Sequence, residues 1–448
     1  MKLSKYLYIP PVKKENNLEK VFVFSTRSSL STLIRTDTLK KFQTNDFSNI
    51  PESLMDKLIK YKIIVPKEEN EFASILKENK FFKEKNDILS ITIQPTANCQ
   101  FGCHYCGQEH INHQMDNDVE DFCINRIKHI LDTTPKYKKL KITWYGGEPL
   151  LGLTTIRSLS YKLQDLCKSY GIKYRADMVT NGYLLKKDIF KNLLLEHKVK
   201  SYQITLDGIS KSHDQRRVLK KNRGKTFDTI YKNIKEIVTS YEYISEDARI
   251  QIRINIDKKN YKEVDKLMYM LVEDKIANKI YISFAPVEDW GGNNAGKDSF
   301  SHEDFSIHHM KWTRFCIENN ISTASLIPTR SFSSCMVESE HNEVIDAFGN
   351  VYPCWEFPYS AYKDERNMIA SKNRPFDTKQ SKTTLLDFSE KIKNGTYECF
   401  KCIFYPLCGG GCPLALYEKR NACPTYKFDI KQRLITDYEI RRKERENA

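Results

Sequence analysis

Residues 88–106 read ILSITIQPTANCQFGCHYC: an apolar, β-branched run stopped by a proline, then three cysteines at spacings x3 and x2. The run predicts a strand, and the cysteines fall on the loop that follows it. The same phrasing recurs downstream. LKITWYGG (140–147), KYRADMVTNG (173–182), KSYQITLDG (200–208), ARIQIRINID (248–257) and NKIYISFAP (278–286) are apolar runs, most of them closed by glycine or polar residues. Helical periodicity fills the gaps near 117–134, 154–170, 186–197, 226–242 and 261–273. Six strand–helix alternations predict an α/β fold with a parallel sheet, open or closed into a partial barrel. The polar motifs nearly all fall at the C-terminal ends of the strands, the edge at which parallel α/β folds bind ligands, so the punctuation predicts one site.

Either side of this core the pattern changes. Residues 1–85 read as a small mixed domain, with a strand at Val21–Phe24 and a helix opened by Pro51 on which Leu54/Leu58 and Met55/Ile59 recur at i, i+4. KIIVP (62–66) follows as a short strand, an order that suits a winged-helix-like module, and Pro66 to Lys85 is expected to be a helical linker. From Asp298 the alternation stops and cysteine, glycine, proline and aromatic residues crowd together. Such a segment lacks periodic apolar faces and is expected to need metal to hold it. The expected division is therefore 1–85, 86–297 and 298–448.

Composition narrows the class. The chain has 448 residues, 40% hydrophobic and 12% aromatic, and no apolar run approaches the roughly 20 residues of a membrane span. The N-terminal stretch lacks a secretory h-region, which places the protein in the cytoplasm as an expectation. The net charge of +14 is spread along the chain with no basic block interleaved with aromatics, so neither a nucleic-acid groove nor a membrane partner is expected. Of the 13 cysteines, three lie within 99–106 and seven between 335 and 423. Clustered cysteines in a reducing compartment point to metal. Cys123 and Cys167 fall in helical stretches and are expected to be small buried residues.

Three thiolates on one loop can hold three irons of a [4Fe-4S] cluster and leave the fourth iron open, or they can hold zinc with a distant fourth ligand such as His104 or His110. Cys99-x3-Cys103-x2-Cys106, with Tyr105 before the last cysteine, resembles the signature of the radical S-adenosylmethionine (radical SAM) superfamily. The likeness continues in order. Gly146-Gly147-Glu148-Pro149 resembles the GGEP element that binds the methionine amino group, and Thr180-Asn181-Gly182 the TNG turn. Thr205-x-Asp207-Gly208 is similar to the element near the ribose, and His213-Asp214-x2-Arg217, with Gly224 and Phe227, to a segment whose arginine meets the cofactor carboxylate. Arg253-Ile254-Asn255 matches the fifth strand. The resemblance implies a partial (β/α)6 barrel, S-adenosylmethionine as cofactor, and a zwitterion held by an acceptor for its amine and a cation for its carboxylate.

Cys335-x13-Gly349-x4-Cys354, then Cys399-x2-Cys402-x5-Cys408-x3-Cys412-x10-Cys423, resembles the seven-cysteine pattern of the SPASM extension. By that likeness Cys399, Cys402, Cys408 and Cys423 hold one auxiliary [4Fe-4S] cluster, and Cys335, Cys354 and Cys412 part of another, three clusters in all. His341 or Cys316 completes the last shell, or one iron is open. Where sulfatase-maturing relatives place an aspartate after the second cysteine, this chain has Trp355 and Glu356. The N-terminal module resembles precursor-recognition elements that take up a leader peptide by strand addition. The expected activity is that of a peptide maturase which abstracts hydrogen from a leader-plus-core precursor and closes a cross-link, a cyclophane ahead of a thioether or ether, fed by a donor such as flavodoxin or ferredoxin. A sulfatase-maturase-like enzyme is the alternative, and a zinc-stapled nucleic-acid-binding protein the rival from another class. Trp290 and the following GGNNAG suggest a loop over the site.

Overall fold

The computed structural model describes residues 1–10, 20–290, 293–360, 367–378, 385 and 387–446; Gly291 and Gly292 of the expected loop lie outside them. The chain separates into two compact units. The larger comprises Asp87–Ala324 and Ser339–Leu386.

Its centre is six parallel strands, β1 (Ile88–Ile93), β2 (Lys139–Trp144), β3 (Lys173–Thr180), β4 (Val199–Thr205), β5 (Arg249–Ile256) and β6 (Tyr281–Pro286), each bonded to the next in chain order. The crossovers are α1 (Asn117–Thr133), α2 (Leu153–Ser169), α3 (Lys187–Leu195), α4 (Phe227–Val238) and α5 (Tyr261–Glu273). Strand β6 takes Ser322–Thr323 as a parallel neighbour, and β1 takes Glu343–Ile345, extended by the antiparallel strands Asn350–Tyr352 and Ala370–Ser371. The six strands are therefore an open arc, with β1 and β6 bonded to other strands rather than to each other.

Periodicity explains the layers. Ile230, Ile234, Ile237 and Val238 put one buried face of α4 on the sheet, while Leu89, Ile91, Ile142 and Ile252 are fully buried on the strands. Each such side chain contributes about 1.5–3 kcal/mol. A sixth helix, α6 (His302–Glu318), lies beyond the expected boundary at 297 and belongs to this unit, its Trp312 stacked on Phe284 of β6 at 5.3 Å. Arg126 of α1 fastens the added strand: it is buried, forks onto both oxygens of Glu343 at 2.7 Å, and donates to the carbonyl of Pro375 at 2.5 Å.

The smaller unit is assembled from Met1–Asn86, Ser325–Glu338 and Asp387–Ala448, so the expected third region is shared between the two units. An antiparallel sheet of Leu7–Tyr8, Lys20–Ser25 and Leu30–Arg35 packs Val21, Val23 and Ile34 with Leu39, Phe42 and Leu58 of the helices Thr36–Gln43 and Glu52–Lys60. The opposite face carries Phe24, which packs on Phe404, Leu407, Ile430 and Leu434, and Phe22, which meets Tyr438 edge-on at 5.4 Å. Residues Glu71–Lys85 form a helix capped by Asn70, but it is no linker. Its buried positions are Glu71, Ile75 and Asn79, and the two polar ones are satisfied by Arg27 and Arg330. Two of its three buried positions are polar, so its apolar face is confined to Phe72, Ile75 and Leu76. Among the described residues no helix is long and apolar enough to cross a membrane.

Candidate active site

The cysteine loop leaves the C-terminal end of β1 and is pinned by the turn that follows β2. The amide of Glu148 donates to the carbonyl of Asn98 at 2.9 Å, and a Cβ on Gly147 would sit 2.3 Å from that oxygen. Only glycine lets the two backbones approach this closely. Phe101–Cys103 pairs antiparallel with Arg217–Leu219, which puts Cys103 opposite Arg217. The three thiols lie within one another's fields. Burial pushes Cys99 up to about 12 and Cys103 up to about 11, and the neighbouring thiols add to both shifts. Three buried, mutually repelling thiolates are stable only around positive charge. Of the candidate zinc ligands, His110 has Nε2 3.8 Å from Cys106 Sγ but Nδ1 against Lys220 at 2.6 Å, and His104 turns to Asp257 at 3.5 Å.

The strand ends meet at Tyr105. Its hydroxyl donates to Asp207 Oδ2 at 2.5 Å and accepts from Arg217 at 2.6 Å and Asn255 Nδ2 at 3.1 Å; the Asn255 amide donates to Asp207 Oδ1 at 2.9 Å. One phenol thus ties the cysteine loop to the ends of β4 and β5 and to the Arg217 strand. Burial raises the Tyr105 hydroxyl well above its usual range, and Cys103, Tyr105 and Asp207 hold Arg217 firmly charged against burial. The histidine–aspartate pair plays a supporting part. His213 is fully buried between the Asp207 amide and Thr226, and Asp214 accepts the Thr226 and Phe227 amides that open α4. Burial depresses His213 well below its normal range, so it is a neutral brace. Arg216 and Asp257, which no motif singled out, form a buried pair at 2.7 Å alongside.

Glu148 differs from expectation in its use. Its carboxylate is fully buried and accepts from Thr180 Oγ1 at 2.6 Å, the Asn181 amide at 2.7 Å and the Leu150 amide at 3.0 Å, so it joins the β2 and β3 turns. Burial raises it, and those three bonds oppose the shift. Gly146 takes φ +110 beside Gln94, and Thr205 lies nearly buried opposite Arg253 in the β4–β5 register.

Residues 93–278 match the radical SAM superfamily. This segment is a radical SAM domain. The match sets aside the zinc-stapled nucleic-acid-binding rival. The chain is 23% identical to the cysteine-type anaerobic sulfatase-maturating enzyme of Clostridium novyi (strain NT), over 75% of this chain and 90% of that protein. It is also 23% identical to the radical SAM cyclopropyl synthase TigE of Paramaledivibacter caminithermalis, over 93% of this chain and 89% of that one. The solved structure of anSMEcpe with bound AdoMet and Cp18Cys peptide superposes with a TM-score of 0.57 at 18% identity, over 79% of this chain and 100% of that one, a likeness of fold.

The radical SAM domain keeps polar atoms in reserve at the strand ends. Asn181 Nδ2, Arg217 Nε and the side-chain amide of Gln94 are buried and have no hydrogen-bond partner among the described residues. Leaving such groups unmade costs roughly 1–3 kcal/mol each, so they call for a polar ligand. Two donors and an amide beside three thiols fit S-adenosylmethionine on a [4Fe-4S] cluster. At the same edge Tyr145, directly after β2, stacks on Trp355 at 4.9 Å. Burial raises the Tyr145 hydroxyl, followed by Glu356, Cys106 and Cys354, against Arg253. Glu356 therefore lies in the field of the cysteine loop.

The other cysteines divide. Cys399, Cys402, Cys408 and Cys423 lie in one another's fields within the smaller unit; burial and the neighbouring thiols push Cys399 up to about 11 and Cys408 up to about 12. The turn that gathers them is Gly409-Gly410-Gly411, all at positive φ, and a Cβ on Gly411 would stand 2.2 Å from the Ala422 carbonyl. Cys335 and Cys412 belong to the same unit and Cys354 to the barrel unit. Cys316 is fully buried in the barrel's apolar core on α6, as are Cys123 on α1 and Cys167 on α2. His341 is held through Nδ1 by the Tyr137 hydroxyl at 2.8 Å.

Proposed function

We propose that the protein is a radical SAM peptide maturase, an oxidoreductase that takes hydrogen from a side chain or Cα of a ribosomally made precursor peptide and closes an intramolecular cross-link. A cyclophane between an aromatic ring and a Cβ is the favoured link, ahead of a thioether or ether. The observation that carries this proposal is a radical SAM domain with its cysteine triad, combined in one chain with a cysteine quartet built onto the N-terminal sheet. One relative is named for maturating sulfatases and another for making a cyclopropyl group, and the anSMEcpe structure holds a peptide beside AdoMet.

When bound, S-adenosylmethionine and its cluster supply a radical able to abstract hydrogen, generated by one electron from a donor of the flavodoxin or ferredoxin class. The protein's part is placement. Cys99, Cys103 and Cys106 offer three thiolates, Arg217 Nε and Asn181 Nδ2 offer donors, and Gly146 and Gly147 admit the backbone. Tyr105, Asp207 and Asn255 lock the strand ends, Thr180 closes its turn by accepting the Gly182 amide, and Thr205 ends β4. Cys399, Cys402, Cys408 and Cys423 would hold one auxiliary cluster, within a SPASM-type region. The winged-helix-like N-terminal module would dock the leader. Leu30–Arg35 is the longer of the two edge strands of its described sheet, and the net charge of +14 favours an acidic leader. A sulfatase-maturase-like activity is the second reading, favoured by Glu356 in the field of Cys106.

Anaerobic reconstitution with S-adenosylmethionine and each short peptide encoded beside the gene, read by mass spectrometry, tests the assignment. The expected result is deoxyadenosine and a peptide lighter by two hydrogens per link. No deoxyadenosine under reducing conditions overturns the radical chemistry; deoxyadenosine with a formylglycine product selects the second reading.

A further inference from the structure

The helix Tyr426–Glu446 begins three residues after Cys423, and its second residue is a lysine. A cation in a helix's first turn opposes the macrodipole. Lys427 nevertheless points back at the cysteines. Its ammonium donates to Cys423 Sγ at 3.2 Å, and its field reaches Cys399, Cys402 and Cys408 as well, so one fixed charge acts on all four thiols. Tyr6, Tyr405 and Tyr426 stand in the same field, and the Tyr6 hydroxyl is buried without a partner among the described residues.

We propose that Lys427 sets the redox poise of the cluster held by Cys399, Cys402, Cys408 and Cys423, favouring its reduced form. The inference rests on the assignment of those four cysteines as cluster ligands. One-electron reduction takes [4Fe-4S]2+ to [4Fe-4S]1+ and, with four thiolates, adds one negative charge to a site that already carries two. A nearby ammonium stabilises the more negative state, in the way that charge and hydrogen bonds to sulfur tune such centres. The electron comes from a low-potential donor and no atom is transferred. In the barrel loop the corresponding cations, Arg217 and Lys220, are turned to Tyr105 and His110 instead.

The test is a redox titration of the reconstituted full chain, each reduced cluster followed by its paramagnetic resonance signal, in the wild type, Lys427→Met, Lys427→Gln and Lys427→Arg. At a fixed ambient potential the reduced-to-oxidised ratio of one cluster should fall roughly tenfold or more in the Met and Gln variants, with the others unmoved, iron content unchanged, and the Arg variant close to wild type. Full iron content with an unmoved ratio overturns the role of Lys427. So does loss of that cluster's iron in both neutral variants, which would make the lysine a binding rather than a tuning group. Cys408→Ala reports on the ligand assignment separately: if it leaves iron and every signal intact, the quartet is no cluster site, whatever Lys427 does.

Discussion

The strand-end site of the barrel and the cysteine quartet of the smaller unit both gather thiols around a glycine-tight turn, yet they are built in opposite ways. In the barrel, a regular alternation of strands and helices delivers residues as far apart in sequence as Tyr105 and Asn255 to one edge, where a single phenol joins them. In the smaller unit no repeat does this work. Segments 1–86, 325–338 and 387–448 complete one another, and three consecutive left-handed glycines fold Cys408 and Cys423 together. A repeating scaffold can carry a site on sparse motifs, whereas an irregular one must encode it in local backbone geometry.

Equivalent steric insults should separate the two. Gly147→Ala drives a Cβ into Asn98, and Gly411→Ala drives one into Ala422 from a positive φ. Each should cost about 2–4 kcal/mol in urea unfolding. Only the first should cut deoxyadenosine formation in proportion, while the second should lower iron retention with the radical-forming activity kept. Equal loss of deoxyadenosine in both would break the distinction.

A smaller effect lies on the strand added beside β1. Burial raises the Asp346 carboxyl to about 6, against hydrogen bonds from the Phe348 and Asn350 amides. The folded chain therefore holds this proton more tightly than the unfolded chain, and stability falls as pH rises from about 4 to about 6. Asp346→Asn should remove about 3 kcal/mol of that dependence, measured as the urea midpoint across the window; an unchanged pH profile would show the carboxylate to be fully satisfied. The smallest expected change is at the hub. Tyr105→Phe leaves Arg217 and Asn255 short of an acceptor, and S-adenosylmethionine affinity should weaken about tenfold, read by equilibrium binding with iron content held.

These contrasts follow what the sequence made legible. The six strands, their order and the edge carrying the site were readable because period-2 alternation and terminal punctuation coincide at residues such as Ile93, Trp144 and Thr180. Glu148 was readable as important but not in its use, because nothing local announces that its carboxylate will span to Thr180 and Asn181. Arg216 and Asp257 belong to no motif and meet only once β5 lies beside β4. The helix from Glu71 reads as a linker because two of its three buried positions are polar, and α6 falls outside the alternating pattern because its buried face mixes Ser306 and Thr313 with Phe305, Met310 and Trp312.

The discontinuous make-up of the smaller unit has a consequence for biosynthesis. Phe24 leaves the ribosome before the barrel segments, but Phe404, Leu407, Ile430 and Leu434, which cover it, leave after them. The N-terminal sheet must wait with one aromatic face bare while the whole barrel is translated, so the barrel is free to fold first and the sheet closes by long-range contacts afterwards. A nascent chain halted before residue 404 would expose that face to chaperones and proteases.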